Sequence, residues 1–169
     1  LVSGPTALAT PVDVTRVDVR TAQQMFDAVK KVVANADVFI SVAAVADYRV
    51  ANASGQKLKK VAGKGMTLEL TENPDILAHV ASLPNAPFCV GFAAETEKLA
   101  ANSKEKRARK KIPLLAANLA QSALGSDYNE ITLYDDAAEH PLGLASNLDH
   151  ARTLIAHFAA MLRRGTPPP

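Results

Sequence analysis

The fold is decided by the stretch Val38-Phe39-Ile40-Ser41-Val42, which runs directly into Ala43-Ala44-Val45-Ala46-Asp47-Tyr48-Arg49. A continuous apolar run of this length is typical of a strand at the centre of a sheet, covered on both faces. The small residues after it let a flat ligand approach the backbone, and an acid, a phenol and a guanidinium follow. In α/β sheets, ligands bind beyond the carboxyl ends of the strands. The stretch therefore predicts an α/β fold with a binding site at the end of this strand.

Outward from this strand, short strands and helices alternate along the chain. Hydrophobic periodicity predicts further strands at 15–19, 66–70, 88–92, 114–117 and 130–134, and helices at 21–35, 73–81, 96–111 and 148–162. Thr21 is expected to cap the first helix, and Asn73 and Pro74 to begin the second. This alternation predicts a Rossmann-like three-layer sandwich with a mainly parallel sheet. We expect one domain over residues 1–164 and a disordered tail at 165–169.

Composition narrows the possible functions. The chain has 19 basic and 17 acidic residues, a balance that argues against a general nucleic-acid binder and makes any anion site local. The single Cys89 lies in an apolar run, where a small buried thiol in a reducing compartment is expected. No stretch approaches the roughly 18 to 20 apolar residues that cross a bilayer, so we expect a soluble, cytoplasmic protein.

Two lysine clusters could hold phosphates. Lys57 to Lys60 lies in a small, polar segment between Gly55 and Gly63, and lysines bind phosphate as point charges. The alternative is an ordinary solvated basic loop. In the predicted helix at 96–111, Lys106 and Lys110 are four residues apart, where like charges repel unless an anion or an acid lies between them. The alternative there is a solvated face with lysines placed favourably near the helix end.

Other polar groups leave alternatives open. Asn73 to Ile76 could offer backbone N–H groups and a carboxamide to a nucleotide hydroxyl or phosphate, or could simply cap the helix. Asp47 could serve a ligand at the strand end, or pair with Arg49 in a turn. The four histidines show no ligand spacing with Cys or acids, so no metal or catalytic role is expected for them, and the metal ligands stay unknown.

Several common motifs are absent from the sequence. It has neither the Gly-x-Gly-x-x-Gly turn of dinucleotide oxidoreductases nor the glycine-rich loop with Gly-Lys-Ser/Thr of phosphate-loop NTPases. It also has no Gly-x-Ser-x-Gly elbow and no Cys/His pair suited to nucleophilic catalysis.

Five motifs in order carry a resemblance to a known family: Val2 to Pro5, Ala43 to Arg49, Lys57 to Lys60, Asn73 to Ile76, and Val90 to Thr96. Together they resemble bacterial phosphopantothenoylcysteine synthetase, also called phosphopantothenate–cysteine ligase. In bacteria this is the C-terminal domain of a bifunctional coenzyme A biosynthesis protein. The family's amino-terminal strand and glycine-rich loop have no counterpart here, so we expect them to be missing and this chain to turn over poorly alone.

The resemblance implies a specific reaction. The carboxylate of 4′-phosphopantothenate attacks CTP to give an acyl-cytidylate and pyrophosphate, and cysteine then displaces CMP, with Mg²⁺ required. It implies Lys57 as the catalytic residue and the following nucleotide contacts: Asp47, Lys57, Asn73, Pro74, Asp75, Ile76, Phe92, Lys106 and Lys110. It also implies a homodimer and a phosphopantothenoylcysteine decarboxylase fused to or working with the chain. The alternatives are a nucleotide-binding module without turnover and a nicotinamide-dependent oxidoreductase.

Overall fold

The computed structural model describes residues 1–60, 63, 65–120 and 125–165. These residues form two compact units, one from Leu1–Lys31 and Ala43–Ile76, the other from Val32–Val42 and Leu77–Pro169. The predicted tail lies outside the described residues from 166 on, while Gly165 ends the last helix. The expectation of one domain over residues 1–164 stays a prediction. None of the described helices is long and apolar enough to span a membrane.

The chain contains nine strands and four α-helices in its described part. In order they are β1 (Val2–Ser3), β2 (Val17–Asp18), α1 (Ala22–Val32), β3 (Val38–Ser41), β4 (Tyr48–Val50), β5 (Leu70–Glu72), α2 (Ile76–Ala81), β6 (Phe88–Glu95), α3 (Leu99–Lys110), β7 (Leu114–Leu119), β8 (Tyr128–Tyr134), β9 (Glu139–Ser146) and α4 (Asn147–Gly165). A 3₁₀ turn, Val33–Asn35, extends α1.

The first unit holds two small sheets and all of α1 except its last residue, Val32. β1 pairs in parallel with β2, and β4 pairs antiparallel with β5. The predicted strand at 66–70 is wrong in its bounds, because the pairing partner of β5 ends at Val50 and β5 therefore begins only at Leu70. Beyond Val50, one further backbone bond, from Ala51 N–H to Glu69 C=O at 2.9 Å, closes the base of the long connection between these strands.

Thr21 caps α1 as expected. Its hydroxyl accepts the N–H of Gln24 at 3.1 Å, and the Gln24 side chain in return accepts the N–H groups of Arg20 and Thr21 at 2.8 and 3.3 Å. This reciprocal arrangement is a capping box, which satisfies backbone donors that have no partner within the helix. The prediction of a helix beginning after Thr21 is confirmed.

The second unit is built on a sheet whose described strands run in the order β3-β6-β7-β8-β9. β3, β6 and β7 are parallel, and β8 and β9 add antiparallel strands at the far edge. The α/β, Rossmann-like fold class is therefore confirmed. The central position expected for β3 is wrong within the described residues, since β3 pairs only with β6 and its Ile40 is 40% exposed. An apolar run predicts a strand but not its place in the sheet.

Helices cover both faces of this sheet. Side chains alternate along a strand, so neighbouring residues of β6 face opposite sides. Val90 packs with Leu114, Leu133 and Leu154 of α4 on one face. On the other face, Gly91 lies against Leu77 of α2, and also against Ile112 and Leu115. A β-carbon at Gly91 would lie 2.7 to 3.0 Å from these side chains, so the absence of a side chain permits this close packing.

The second strand of the β8–β9 hairpin, β9, was not predicted from the sequence. Pro141 and Gly143 interrupt the apolar pattern of β9, and proline is tolerated only at sheet edges or bulges. Between the pairs Glu130↔Leu144 and Thr132↔Pro141, one residue of β8 opposes two of β9. This is a β-bulge, and Gly143 within it has a φ of 69°, which favours glycine.

Candidate functional site

A cavity of about 380 Å³ lies in the first unit at the strand mouth, the name used here for Ala43–Ala46. The structure brings together at this cavity the end of β1, the start of α1, the strand mouth and Asn73. Its lining consists of Gly4, Val19, Arg20, Thr21, Ala22, Met25, Ala43, Ala44, Val45, Ala46 and Asn73. Most of these side chains are small, so a ligand could reach the backbone. Asn73 is the predicted nucleotide contact that lines this cavity, and its contact with a nucleotide stays a prediction.

Asn73 holds the strand mouth in place. Its side-chain N–H donates to Ala46 C=O at 2.8 Å, and its backbone N–H donates to Asp47 C=O at 2.7 Å. The expected capping role is wrong for Asn73, and Pro74 is not in the first helical turn, because α2 begins only at Ile76. Asn73 therefore acts first as a positioning residue. Its predicted contact with a nucleotide stays a prediction.

The expected pairing of Asp47 with Arg49 does not occur. The Arg49 guanidinium instead donates to Glu72 C=O and, at 3.2 Å, to the Asn73 side-chain oxygen. The side chain of Asp47 is exposed and makes no hydrogen bond or ion pair within the described part of the chain. A carboxylate at the strand end thus stays accessible to a ligand.

Lys57 lies in the connection between β4 and β5, and its side chain is exposed. The base of this connection is fixed by the backbone bond to Glu69 and by Asn52, whose side chain donates to the Glu69 carboxylate at 3.3 Å. Lys57 has no ion pair with any described residue. Its exposed side chain therefore belongs to a loop whose base begins at Ala51, four residues after Asp47.

The second unit holds three of the predicted contacts, Phe92, Lys106 and Lys110. Lys106 on α3 forms an ion pair with Glu95 at the end of β6, with 2.8 Å between the ammonium nitrogen and the carboxylate oxygen. Asn102 donates to Glu95 and Glu97 from the same helix. Glu95 is therefore an acid that offsets the charge of Lys106. Lys110 is half-buried one turn further on.

Most other basic side chains of α3 hold structure together. Lys104 pairs with Glu139 at 2.5 Å, and Arg107 pairs with Asp136 at 2.6 Å while donating to the backbone at Ile112. These bonds tie α3 to the β8–β9 hairpin. Lys104 and Arg107 therefore have structural partners within the second unit.

Phe92 faces away from Lys106. It belongs to the face covered by α4 and lines a largely apolar cavity of about 550 Å³, whereas Lys106 lies on α3 across the sheet. The polar members of this cavity are Asn118, Asn129, Asn147 and His150. His150 bonds through its Nε2 to Asn129 C=O at 2.6 Å.

Of the other predicted contacts, Pro74 is half-buried, Asp75 is exposed, and Ile76 is buried, so Ile76 could offer only its backbone to a ligand.

One group of side chains was missed by the sequence analysis. Asp135, His140 and His157 converge at the β8–β9 turn and α4, with their ligand atoms within 4.8 Å of one another. Spacing could not reveal them, because Asp135 and His157 are 22 residues apart and lie on different elements.

Comparison with known proteins gives a family. The family model described as the DNA/pantothenate metabolism flavoprotein C-terminal domain matches residues 1–162. The coenzyme A biosynthesis bifunctional protein CoaBC of Vibrio vulnificus is 44% identical over 169 residues, which cover 93% of this chain and 42% of that protein. The protein of the same name from Escherichia coli K12 is 46% identical over 140 residues, covering 79% of this chain and 34% of that one.

Solved structures agree. The crystal structure of the C-terminal domain of a CoaBC protein matches with a TM-score of 0.79 and 32% identity, covering 96% of this chain and 74% of that chain. A Cab2 mutant in complex with phosphopantothenate-cysteine matches with a TM-score of 0.69 and 16% identity, covering 89% and 55%, and at that identity shows the fold alone.

The chain spans less than half the length of the curated relatives that it matches. The resemblance inferred from the order of the motifs is nevertheless confirmed over nearly the whole length of this chain. The chain belongs to the family of the DNA/pantothenate metabolism flavoprotein C-terminal domain.

Proposed function

We propose that this chain is the CTP-dependent ligase domain that joins 4′-phosphopantothenate to cysteine in coenzyme A biosynthesis. The observation that carries the proposal is the 44% identity to a coenzyme A biosynthesis protein over 93% of the chain. The first unit supports it, since it contains the small residues of the strand mouth, the accessible carboxylate of Asp47 and the exposed Lys57.

The first step would activate a carboxylate. An oxygen of the phosphopantothenate carboxylate attacks the α-phosphorus of CTP, the bond between the α- and β-phosphates breaks, and pyrophosphate leaves. The product is a mixed anhydride, the acyl-cytidylate. Two anions must meet in this step and charge grows on the leaving pyrophosphate, so positive charge at the phosphates stabilises its transition state. Lys57 is the residue proposed for this role.

The second step would form the amide. The amino group of cysteine attacks the acyl carbon, the bond from that carbon to the phosphate oxygen breaks, and CMP leaves with the oxygen of the former carboxylate. The amine loses a proton as the amide forms. Exclusion of water favours this step over hydrolysis of the anhydride.

Asp47 fits a role at the implied Mg²⁺. Magnesium takes oxygen ligands, commonly one or two carboxylates together with substrate phosphates. Asp47 has no partner among the described residues, so its carboxylate is available for such a ligand set. Bound Mg²⁺ would neutralise charge on the triphosphate. Asn73, through Ala46 and Asp47, would hold the backbone of this acidic position in place.

The remaining length of the relatives is consistent with a second activity in the intact protein. We propose that this is phosphopantothenoylcysteine decarboxylase, which would use the ligase product directly. A homodimer and a cytoplasmic location are also proposed, on the family resemblance alone.

A thermal-shift screen tests which nucleotide the protein binds. CTP with Mg²⁺ is expected to raise the melting temperature of the intact protein more than ATP does, and NAD is expected to have no effect. Lys57→Gln should reduce the CTP shift, because it removes one cation without changing the core. Lys31→Gln is the matched control, since Lys31 is an exposed lysine on α1.

Stabilisation by NAD alone would reject the proposal in favour of an oxidoreductase. An equal loss of the CTP shift in both lysine variants would remove Lys57 from the site. If CTP stabilises the intact protein but no pyrophosphate forms with both substrates present, the binding module without turnover is the correct interpretation.

A further inference from the structure

Asp135, His140 and His157 form a compact cluster that the proposed ligase reaction does not use. Both histidine Nε2 atoms lie at the same oxygen of Asp135, His140 at 3.0 Å and His157 at 2.9 Å. The two imidazole rings meet edge to face, with 4.6 Å between their centroids. Two imidazole nitrogens and one carboxylate oxygen thus lie within 4.8 Å of one another.

The Asp135 carboxylate is held in place by the turn that joins β8 to β9. Its other oxygen, Oδ1, accepts the backbone N–H groups of Ala137 and Ala138 at 2.8 and 2.9 Å. One carboxylate oxygen is therefore committed to the turn, and Oδ2 is left for the histidines. Hydrogen bonds that orient a ligand in this way are typical of metal sites, where the outer partner fixes the inner one.

The electrostatics keep Asp135 ionised. Burial of its carboxyl group acts to raise the pKa, but the hydrogen bonds from Ala138, His157, Ala137 and His140 outweigh it, and the pKa falls to about 2. Its side chain is only 7% exposed. Asp135 Oδ2 therefore lies in a largely buried position against two imidazole nitrogens, and these three atoms are of the types that ligate metal ions.

Neighbouring charges do not compete for the cluster. Asp136 is paired with Arg107, and Glu139 is paired with Lys104. Glu139 and His140 are adjacent in β9, so their side chains face opposite sides of the sheet. The cluster therefore contains one carboxylate oxygen, Asp135 Oδ2, whose hydrogen-bond partners in the described part of the chain are the two imidazoles.

We propose that Asp135, His140 and His157 bind one divalent cation of the zinc class. Zinc takes nitrogen and carboxylate ligands at about 2.0 to 2.2 Å, which places tetrahedral ligand atoms about 3.4 Å apart. The observed separations of 2.9 and 3.0 Å need to widen by about half an ångström, which requires small shifts of both His157, at 19% exposed, and His140, at 34% exposed.

The donor set decides the class of metal. Imidazole suits zinc, copper, nickel and iron, whereas magnesium and calcium prefer oxygen ligands only. Three protein ligands leave a fourth position, which water can fill on the exposed side of His140. Because the ligands come from a β-hairpin and from α4, the metal would join these elements and stabilise the folded state over the unfolded chain.

Metal titration of the untagged protein, first stripped with a chelator, tests the site. One equivalent of Zn²⁺ per chain is expected by calorimetry, with a rise in melting temperature that excess chelator reverses. Co²⁺ should give the intense visible absorption of a tetrahedral nitrogen and oxygen site. Affinity should fall as pH is lowered, because protons compete for the imidazoles.

Substitutions distinguish zinc binding at this cluster from nonspecific zinc binding by other histidines of the chain. Asp135→Asn keeps an oxygen for the turn but removes the anionic ligand, and His157→Gln removes an imidazole. Each should weaken Zn²⁺ binding at least ~100-fold, since loss of a direct ligand exceeds the 10- to 100-fold cost of losing an outer partner. His79→Gln is the matched control, because His79 lies on α2 outside the cluster, and it should bind Zn²⁺ like the parent.

Two results would overturn the proposal. One is no stoichiometric binding by a folded parent protein, and the other is equal affinity in the parent and in a folded cluster variant. His140→Gln, the substitution at the more exposed histidine, serves as the deciding variant if either of the others fails to fold by circular dichroism. Ligase activity is not needed for any of these readouts, so failure of the proposed function leaves the test intact.

Discussion

Single residues set the geometry of the strand mouth through bonds that are distant in sequence. Asn73 reaches Ala46 and Asp47, and Arg49 reaches Glu72 and Asn73. The guanidinium of Arg49 is therefore bonded away from Asp47, whose carboxylate is exposed. A ligand site at this position depends on these partners as much as on the acid itself.

Cys89 gives a test of the core at the residue scale. Its thiol is 1% exposed, and burial raises its pKa above the ordinary value. The thiolate is the reactive form, so native protein should react with iodoacetamide at least ~100-fold more slowly than protein in urea, even at pH 8.5. Because the pKa of this thiol is higher in the folded protein than in the unfolded chain, its ionisation costs stability at high pH. The free energy of unfolding should therefore fall as pH rises from the unfolded pKa through the folded pKa.

The measurement is the rate of mass increase by one adduct, followed with and without urea. Cys89→Ala provides the control, since it removes the chain's single thiol and should show no adduct in either condition. Equal rates in native and unfolded protein would contradict the buried placement of Cys89.

Sequence reasoning works at this scale where partners are local. The capping of α1 was predictable because Thr21 and Gln24 are three residues apart. The bond from Asn73 to Ala46 spans 27 residues, and that from His157 to Asp135 spans 22. No local spacing encodes such contacts. The sequence therefore predicted a helix-capping role for Asn73, which was wrong, and it did not reveal the cluster of Asp135 and the two histidines.

At the scale of elements, close packing explains the glycine of β6. Gly91 lies where the sheet meets side chains from α2 and from the segment before β7, and the core around it is full. The motif Val90 to Thr96 was recognised in the sequence as part of the family pattern. The structure adds that its glycine serves packing inside the second unit.

Gly91→Ala is expected to destabilise the fold by about 1–3 kcal/mol, because a new methyl group must displace buried side chains. Its β-carbon would lie 2.7 Å from Ile112 Cδ1 and 2.9 Å from Leu77 Cδ2. Urea unfolding measures the change in the free energy of unfolding. Gly55→Ala is the matched control, since nothing lies within 4 Å of its β-carbon position, and it should change stability by less than about 0.5 kcal/mol. Equal stability of the two variants would contradict the packing described.

Elements with regular patterns were predicted, and those with interrupted patterns were not. The buried strands β6 and β7 and the amphipathic helices α1 and α4 follow simple periodicities. β9 was missed because Pro141 and Gly143 break its alternation, and only pairing with β8 makes it a strand. β4 was missed because Tyr48–Val50 belongs to a motif interpreted as a loop, although β5 pairs with it.

At the scale of the whole molecule, the fold class and the family follow from the order of motifs. The α/β fold and the match over residues 1–162 agree with what that order indicated. The nucleotide contacts do not follow so directly. Asp47, Lys57 and Asn73 lie in one unit, while Phe92 and Lys106 lie in the other and on opposite faces of its sheet.

The central claim is that the intact protein activates a carboxylate with CTP before cysteine takes part. The most direct measurement is pyrophosphate release on mixing the protein with CTP, Mg²⁺ and 4′-phosphopantothenate in the absence of cysteine. A burst close to one pyrophosphate per active site is expected, followed by CMP and the amide only when cysteine is added. Lys57→Gln should abolish the burst while Lys31→Gln keeps it. Pyrophosphate release that does not require 4′-phosphopantothenate, or a full burst in Lys57→Gln, would contradict the account.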